Sequence, residues 1–520
     1  MAGVPKPTKS RWVTVAILVF FAVCAGLHWL RIFPVLRLEA LPSYSTSVPE
    51  IGTGGSPDRE QSAAEVIYAR QPVPVAFFGL DITSPQTPWP TIPFGTLRMW
   101  DDHSPWRLVE RAGRNQYNWD ILDGWIERAQ RHHVDLLYTI GHTPLWAASQ
   151  PDHRCINGPR GPRGTCTPPL DLNTREPCQG PLAGVTSTDC IFKEFITSLM
   201  DHVCSGKAPN KDCKIRYYSC WNEPNQDGFW SGSYAEMAKL CSDFVETVKS
   251  QCQSCTTVGP EVAAAADVGT KMNGDSRSAA VYLENFLRAS AQYGHLPDVA
   301  AFHPYAARLW GLNRAPFPET FAGSGCQGGR GGADCPATLL QKIAALRKVM
   351  DDNGMRGKPL WSTEGSWGVN LQLPDPDVQA AYVSRWLILQ ASAGVSRAIW
   401  YLYDNGGRPR GVGGLWGPEI GLGKAGVAFG QVAGWLTGAT FSKPCSAINT
   451  VWSCGLTRPG GVQAKIVWDV SRSYDPSQTF SYRDTSPFTK YRDLAGNTHP
   501  ISGGTAPIGS KPILLEGHPN

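Results

Sequence analysis

A chain of 520 residues with 48 basic and 44 acidic side chains carries a formal charge of +4, and the whole excess sits in the first forty residues, where Lys6, Lys9, Arg11, Arg31 and Arg37 face only Glu39. With those six set aside, 43 basic and 43 acidic residues remain, which argues against the broad basic face that a nucleic-acid partner requires. The length suits two or three ordinary domains, or one α/β barrel with additions.

Residues 12–30, WVTVAILVFFAVCAGLHWL, form a 19-residue run in which only neutral His28 titrates, behind three basic residues. As a helix this run is long enough to span a hydrocarbon core of about 30 Å. The reading adopted is an uncleaved N-terminal membrane segment over residues 1–37, anchoring the protein to the inner membrane. The alternative is a signal peptide cut at the small residues Val23-Cys24-Ala25, which yields a secreted or periplasmic protein. Both send the rest of the chain out of the cytoplasm.

Cysteine usage points the same way. Cys24 lies in the apolar run, and 14 cysteines lie outside it. Cys155/Cys166, Cys178/Cys190, Cys204/Cys213, Cys252/Cys255, Cys326/Cys335 and Cys445/Cys454 are close in sequence, the pattern of short-range disulfides in an exported protein. Zinc is the rival reading, but only Cys252/Cys255 has CxxC spacing and no histidine sits near it. Cys220 and Cys241 are left over, to pair or to stay free.

Residues 38–71 are rich in Pro, Ser and Gly and read as a flexible linker. From residue 72 to 435, short apolar runs alternate with amphipathic segments. The candidate strands are residues 73–82, 95–100, 135–141, 215–221, 256–262, 299–305, 359–365 and 398–404. Helical segments with apolar residues at three- and four-residue steps separate most of them, whereas the first connection, 83–94, is short and Pro-rich. Eight βα repeats predict a (β/α)8 TIM barrel. The doubly wound alternative normally shows a glycine-rich phosphate loop after its first strand, and the sequence has none. Over 436–520 the alternation stops and short strand-like runs follow, which predicts a small C-terminal β-sandwich-like accessory domain.

In such a barrel the chemistry lies at the carboxyl ends of the strands. Strand two ends in Arg98, strand three in His142, strand four in Trp221-Asn222-Glu223-Pro224-Asn225, strand six in His303-Pro304-Tyr305, strand seven in Glu364 and strand eight in Trp400. The WNEPN run at the fourth strand, with a second glutamate 141 residues later at the seventh, resembles the clan A glycoside hydrolases. The set looks most like glycoside hydrolase family 39 and its relatives, which include β-xylosidases, α-L-iduronidases and exopolysaccharide-cleaving endoglycosidases. The resemblance covers residues 73 to about 435 as topology and does not extend to a substrate.

The residues themselves suit the same reaction. Retaining cleavage of a glycosidic bond needs two carboxyl groups about 5 to 5.5 Å apart, one to protonate the leaving oxygen and one to attack the anomeric carbon. Glu223 is the expected acid/base and Glu364 the expected nucleophile. The resemblance implies that Arg98 and Tyr305 hold Glu364, that Asn222 grips the sugar 2-hydroxyl, that Trp400 floors the sugar ring, and that His142 and His303 donate to hydroxyls or to Glu223. Asp81, Asp101, Asp102, Glu261 and Asp404 also fall at strand ends, and one of them would replace Glu364 in an inverting enzyme, whose carboxyl groups stand about 6.5 to 9.5 Å apart. With no HExxH, EF-hand loop or GxSxG motif, neither a metal nor a cofactor is expected.

The sequence thus predicts a retaining glycosidase acting on an extracytoplasmic polysaccharide or glycoconjugate. A non-catalytic carbohydrate-binding envelope protein and a transglycosidase using the same residues are the alternatives. Substrate choice depends on the Gly- and Pro-rich loops 142–190 and 306–336.

Overall fold

The computed structural model describes residues 71–155, 163–264, 271–272, 275–276, 278–306, 315–320, 338–368, 373–405 and 413–517. The expected membrane segment 1–37, nearly all of the linker 38–71 and the Cys326/Cys335 pair lie outside them. No helix among the described residues is long and apolar enough to cross a membrane.

Each of the eight expected strand runs contains a strand: β1 (Phe78–Asp81), β2 (Thr96–Met99), β3 (Asp135–Thr139), β4 (Tyr217–Ser219), β5 (Thr256–Ala263), β6 (Val299–His303), β7 (Leu360–Ser362) and β8 (Arg397–Trp400). They close into a parallel barrel in sequential order, with β1 pairing both β2 and β8. Most of the observed strands are shorter than the apolar runs, which continue into the flanking segments at one or both ends, whereas β5 overruns its run by one residue and β8 begins one residue before its run. Near-continuous apolar runs arise because a parallel sheet is covered on its outer face by helices and on its inner face by the barrel core.

Helices α1 (Asp120–Arg131), α2 (Cys190–Val203), α3 (Tyr234–Gln251), α4 (Ala279–Ser290), α5 (Leu339–Asp352), α6 (Pro376–Ser392) and α7 (Lys424–Leu436) follow β2 to β8 in turn. Their starts are written in the sequence. Ser233 and Glu236 form a capping box at α3, Thr338 and Gln341 another at α5, and Asp375 caps α6 ahead of Pro376.

Alternation along the strands fixes what enters the barrel. Leu137, Val258, Val299, Ala301, Trp361 and Ile399 form an inner apolar cluster. Below it the Arg397 guanidinium lies over the rings of Tyr217 (4.2 Å) and Trp361 (4.6 Å) and pairs with Asp135 at 2.7 Å. The register of β5 against β6 slips by one residue: Val299 faces Val258, but Ala301 faces Glu261. That extra residue turns Glu261 inward, where strict alternation from Val258 would send it outward.

After α7 come β9 (Thr440–Ile448), β10 (Val451–Arg458), β11 (Val462–Asp469), β12 (Thr479–Tyr482), β13 (Lys490–Arg492), β14 (Thr498–Pro500), β15 (Ala506–Gly509) and β16 (Ile513–Glu516). Six form an antiparallel sheet in the order β9-β10-β11-β16-β13-β14, and β12 pairs with β15 as a separate ribbon. Ala506 and Ile508 of the ribbon pack with Val467 and Leu515 of the sheet, giving two unequal layers.

Helix α6 is buried nearly all round because it lies between the barrel and this sheet. Its buried Arg385 donates to the Ser510 carbonyl (2.9 Å) and the Ser473 hydroxyl (3.0 Å), lies 4.2 Å from the Phe317 ring and faces Glu319 at 3.6 Å. Glu319, in the β6–α5 connection, accepts from the Trp468 indole at 2.7 Å.

Disulfides join Cys155–Cys166, Cys178–Cys190, Cys204–Cys213, Cys220–Cys241, Cys252–Cys255 and Cys445–Cys454. The two leftover cysteines therefore pair with each other. The proximity of Cys213, Cys252 and Cys255 offers no metal site, since all three thiols are consumed.

Arg385→Met keeps the apolar bulk but leaves the Glu319 carboxylate without its cation and the Ser510 carbonyl without its donor. Loss of one partner of a buried pair is expected to cost about 3 kcal/mol, measured as a drop in unfolding free energy in urea.

Candidate active site

Arg98 rises from β2 into the centre of the barrel mouth and is fully buried. One guanidinium nitrogen donates to Glu364 Oε2 (2.7 Å) and Asp81 Oδ2 (3.3 Å), and the other to Asn222 Oδ1 (2.6 Å) and Glu261 Oε2 (2.6 Å). Five strands thereby converge on one cation. The Trp100 ring lies 5.8 Å from the same guanidinium.

The second centre is His303, at the end of β6 and fully buried. Its Nδ1 lies 2.9 Å from Glu223 Oε1 and 3.7 Å from Glu364 Oε2, and its Nε2 lies 3.1 Å from Thr363 Oγ1 and 3.7 Å from Glu261 Oε2. Tyr305 donates its hydroxyl to Glu364 Oε1. Single oxygens of Glu223 and Glu364 and a ring nitrogen of His303 all lie within 4.8 Å of one another. A cation is disfavoured there, because Arg98 already pairs with Glu364 and the imidazole is surrounded by carboxylates that favour its own charge.

The loop carrying Glu223 is held tightly. Cys220, bonded to Cys241 of α3, ties the end of β4 to its helix. The Glu223 amide donates to the Glu261 carbonyl (2.8 Å), and the Glu223 carbonyl accepts from Gln226 (2.9 Å). These bonds hold Glu223 in the left-handed region at φ 40°, a conformation costing a non-glycine residue about 1 kcal/mol or more. The carboxylate it presents is 14% exposed, against 10% for Glu364.

Burial acts on all these groups, and their neighbours decide the outcome. Glu261 is pushed up by burial but pulled down further by Arg98 and His303, to about 2. Burial pulls His303 down, yet Glu364, Glu223 and Glu261 together push it up to about 9. Glu364 is raised by burial, with His303 and Arg98 pulling back and Glu223 adding to the rise. Asp81 is raised by burial despite Arg98.

The other expected residues divide. Asn222 is buried, with Oδ1 on Arg98 and no partner for Nδ2 among the described residues. His142 stacks on Phe229 (5.3 Å, 11°) and lies 5.1 Å from Trp100. Burial and Arg107 lower it to about 3, so its ring is neutral at ordinary pH. Trp400 does not floor the mouth. It has no exposed surface, its indole donates to the Gly413 carbonyl (2.6 Å), and it packs on Trp367, Tyr382 and Trp386. Alternation explains the correction: Arg397 and Ile399 face inward, so Trp400 faces the helices. The next residue, half-buried Tyr401, reaches the mouth instead, with its ring 6.4 Å from Tyr305 and its hydroxyl on Asp101.

Among the reserve carboxylates, Glu261 and Asp81 belong to the centre. Asp404 instead ties down Thr83, Ser84 and Thr87, and Asp102 accepts from Ser104. The signal for Glu261 was the Gly259-Pro260 pair just ahead of it, a break in a strand that marks a bulge. The signal for Tyr401 was strand parity.

No protein-family model matches the chain, and no curated protein matches it. Solved structures do match in fold. A family 39 glycoside hydrolase from Bacteroides cellulosilyticus WH2 is 17% identical with a TM-score of 0.57, over 85% of this chain and 81% of that one. A monomeric β-xylosidase from Caulobacter crescentus CB15 is 15% identical with a TM-score of 0.52, over 87% and 98%. A family 44 xyloglucanase from Paenibacillus polymyxa, solved with xyloglucan, is 14% identical with a TM-score of 0.52, over 86% and 98%. The chain thus shares its fold, over most of its length, with these glycoside hydrolases.

Gly365, next to Glu364, leaves no room for a side chain: a Cβ there would lie 2.8 Å from Trp386 Cζ2. Gly365→Ala is expected to cost about 1–3 kcal/mol by overpacking. Trp386→Phe removes the atom in the way, so in a urea-unfolding double-mutant cycle the two changes together should cost at least about 1 kcal/mol less than their sum.

Proposed function

We propose that the protein is a retaining glycoside hydrolase, with Glu364 as nucleophile and Glu223 as acid/base. The observation that carries this reading is the approach of the two carboxylates to within 4.8 Å at a mouth walled by Arg98, His303 and Tyr305. A nearest approach this close favours direct attack by one carboxylate, for which the two groups stand about 5 to 5.5 Å apart, over the separation of about 6.5 to 9.5 Å that an inverting mechanism uses.

In this reading, Glu364 attacks the anomeric carbon while Glu223 protonates the departing oxygen. A carboxylate whose pKa is raised by burial is a better nucleophile, provided it stays ionised, and the bonds from Arg98 and Tyr305 favour the ionised form. Once Glu364 is esterified, Glu223 takes a proton from water, which releases the sugar. Asn222 offers its free amide hydrogens to the 2-hydroxyl, where the contact strengthens as positive charge develops on the sugar. His142, neutral and stacked on Phe229, contacts a substrate hydroxyl, and Tyr401 lines the sugar site in place of Trp400.

The catalytic domain is the barrel over 72–435, and the substrate is a polysaccharide or glycoconjugate. The six disulfides among the described residues support action outside the cytoplasm, with segment 12–30 as the export signal or the membrane anchor.

A panel of aryl glycosides and envelope polysaccharides tests the assignment. Glu364→Gln should abolish turnover, and Glu223→Gln should slow substrates with poor leaving groups by roughly 10²- to 10⁴-fold. A 2-fluoro sugar should add one glycosyl unit to Glu364 by mass spectrometry. Wild-type rates in Glu364→Gln, or labelling at another residue, would overturn the assignment.

A further inference from the structure

We infer that His303 works as a fixed imidazolium countercharge for the carboxylate pair, balancing Glu364 before glycosyl transfer and Glu223 after it. This rests on the glycosidase reading above and assigns His303 a positioning role exerted through charge.

The geometry puts one nitrogen between both carboxylates. Nδ1 is 2.9 Å from Glu223 and 3.7 Å from Glu364, and the ring is locked from behind by Thr363 at 3.1 Å. Three carboxylates face this ring, and the other charged and titratable groups of the mouth reach it through them. Arg98 and, through it, Asp81 come from β2 and β1, Glu223 from the loop after β4, Glu261 from β5, Glu364 from the end of β7, and Tyr305 from the ring's own segment. Arg98 is the only other cation in the set, and it is already in contact with Glu364, Glu261 and Asp81. With Glu261 and Glu364 ionised, one buried guanidinium leaves a net negative charge, and a protonated His303 removes it. The carboxylates overcome burial and hold the ring protonated up to about pH 9.

Following the charge through the reaction gives the ring its function. In the first step an oxygen of Glu364 bonds to the anomeric carbon. The glycosidic C–O bond breaks with its electron pair on the leaving oxygen, which takes the proton of Glu223. One negative charge has vanished from Glu364 and appeared on Glu223. In the second step Glu223 takes a proton from water, the water oxygen bonds to the anomeric carbon, and Glu364 leaves as carboxylate, so the charge returns. Each transfer passes the same Nδ1–H, which needs no movement to serve either state. Arg98 and Tyr305 touch only Glu364 of the pair, so they cannot serve Glu223.

The test uses the full chain and the 2,4-dinitrophenyl glycoside of whichever sugar the panel identifies. That leaving group departs without a proton, so ionisation of Glu223 leaves kcat/KM unchanged and a basic limb reports His303. The wild type should lose activity around pH 9, with circular dichroism confirming an intact fold. His303→Gln should lower kcat/KM by roughly tenfold or more and erase the limb. A flat wild-type profile to about pH 10, or a limb surviving in His303→Gln, overturns the inference.

A second measurement does not depend on turnover. In protein carrying ¹⁵N-histidine, the resonances missing from His303→Gln, or shifted by Thr363→Ala if that variant does not fold, identify the ring. Imidazolium shifts for both nitrogens at about pH 7.5 are expected, and a neutral-ring pattern overturns the inference. If no glycoside is cleaved, the glycosidase reading fails, while the ¹⁵N spectrum still decides the charge.

Discussion

A guanidinium sealed inside a barrel must have its charge answered on the spot, and the mouth of this protein is arranged around that requirement. Arg98 has no exposed surface and is met by groups from β1, β5, the end of β7 and the loop after β4. Desolvating such a cation alone costs several kcal/mol, which direct pairing repays only with good geometry. The geometry is good for Glu364, Glu261 and Asn222 and looser for Asp81. That ordering agrees with the upward push on Asp81 and the downward pull on Glu261. Arg98 answers the charge of Glu261 and Glu364, and His303 is the second countercharge in the reading above. Buried carboxylates are tolerated in this interior because their countercharges are built in.

Position within the fold also depends on what lies outside the barrel. Tyr382, Arg385 and Trp386 on one part of α6 reach three places. Arg385 grips the C-terminal sheet, Tyr382 packs on Phe317 and Trp400, and Trp386 packs on Trp400 and against Gly365. The accessory layers thus bear on the helix that backs the Glu364 segment. A small sheet with an incomplete second layer gains a partner in return, since α6 is buried on both sides.

Much of this was legible in the sequence, for identifiable reasons. Eight apolar runs spaced by amphipathic segments admit few closures other than a parallel barrel. Arg98, Asn222, Glu223, His303, Tyr305 and Glu364 all meet at one mouth, because the carboxyl ends of parallel strands point the same way. What was not legible required knowing which way a side chain faces. Trp400 and Tyr401 are adjacent aromatics, and only the inward positions of Arg397 and Ile399 tell them apart. Glu261 depended on a one-residue bulge, which composition marks but does not count. Cys220 and Cys241 were too far apart in sequence to declare themselves, yet their bond fixes the start of the Glu223 loop.

Three glutamates illustrate why residue type alone could not assign roles. Glu223, Glu261 and Glu364 all stand at strand ends facing one cavity, and all three lie within 3.7 Å of His303. Glu261 is fully buried and bonded to Arg98 and Thr139, so both of its oxygens are occupied and it is left as a permanent anion with no freedom to react. Glu364 shares Arg98 and Tyr305, but it retains some exposure and is pushed up by burial, a balance suited to an anion that attacks. Glu223 pairs with no arginine among the described residues. Its side-chain contact is with His303, and its backbone is bent into the left-handed region to present the carboxylate. The group with the fewest fixed partners is the one best able to exchange a proton: Glu261 and Glu364 are both held by Arg98, whereas the Glu223 carboxylate is paired with His303.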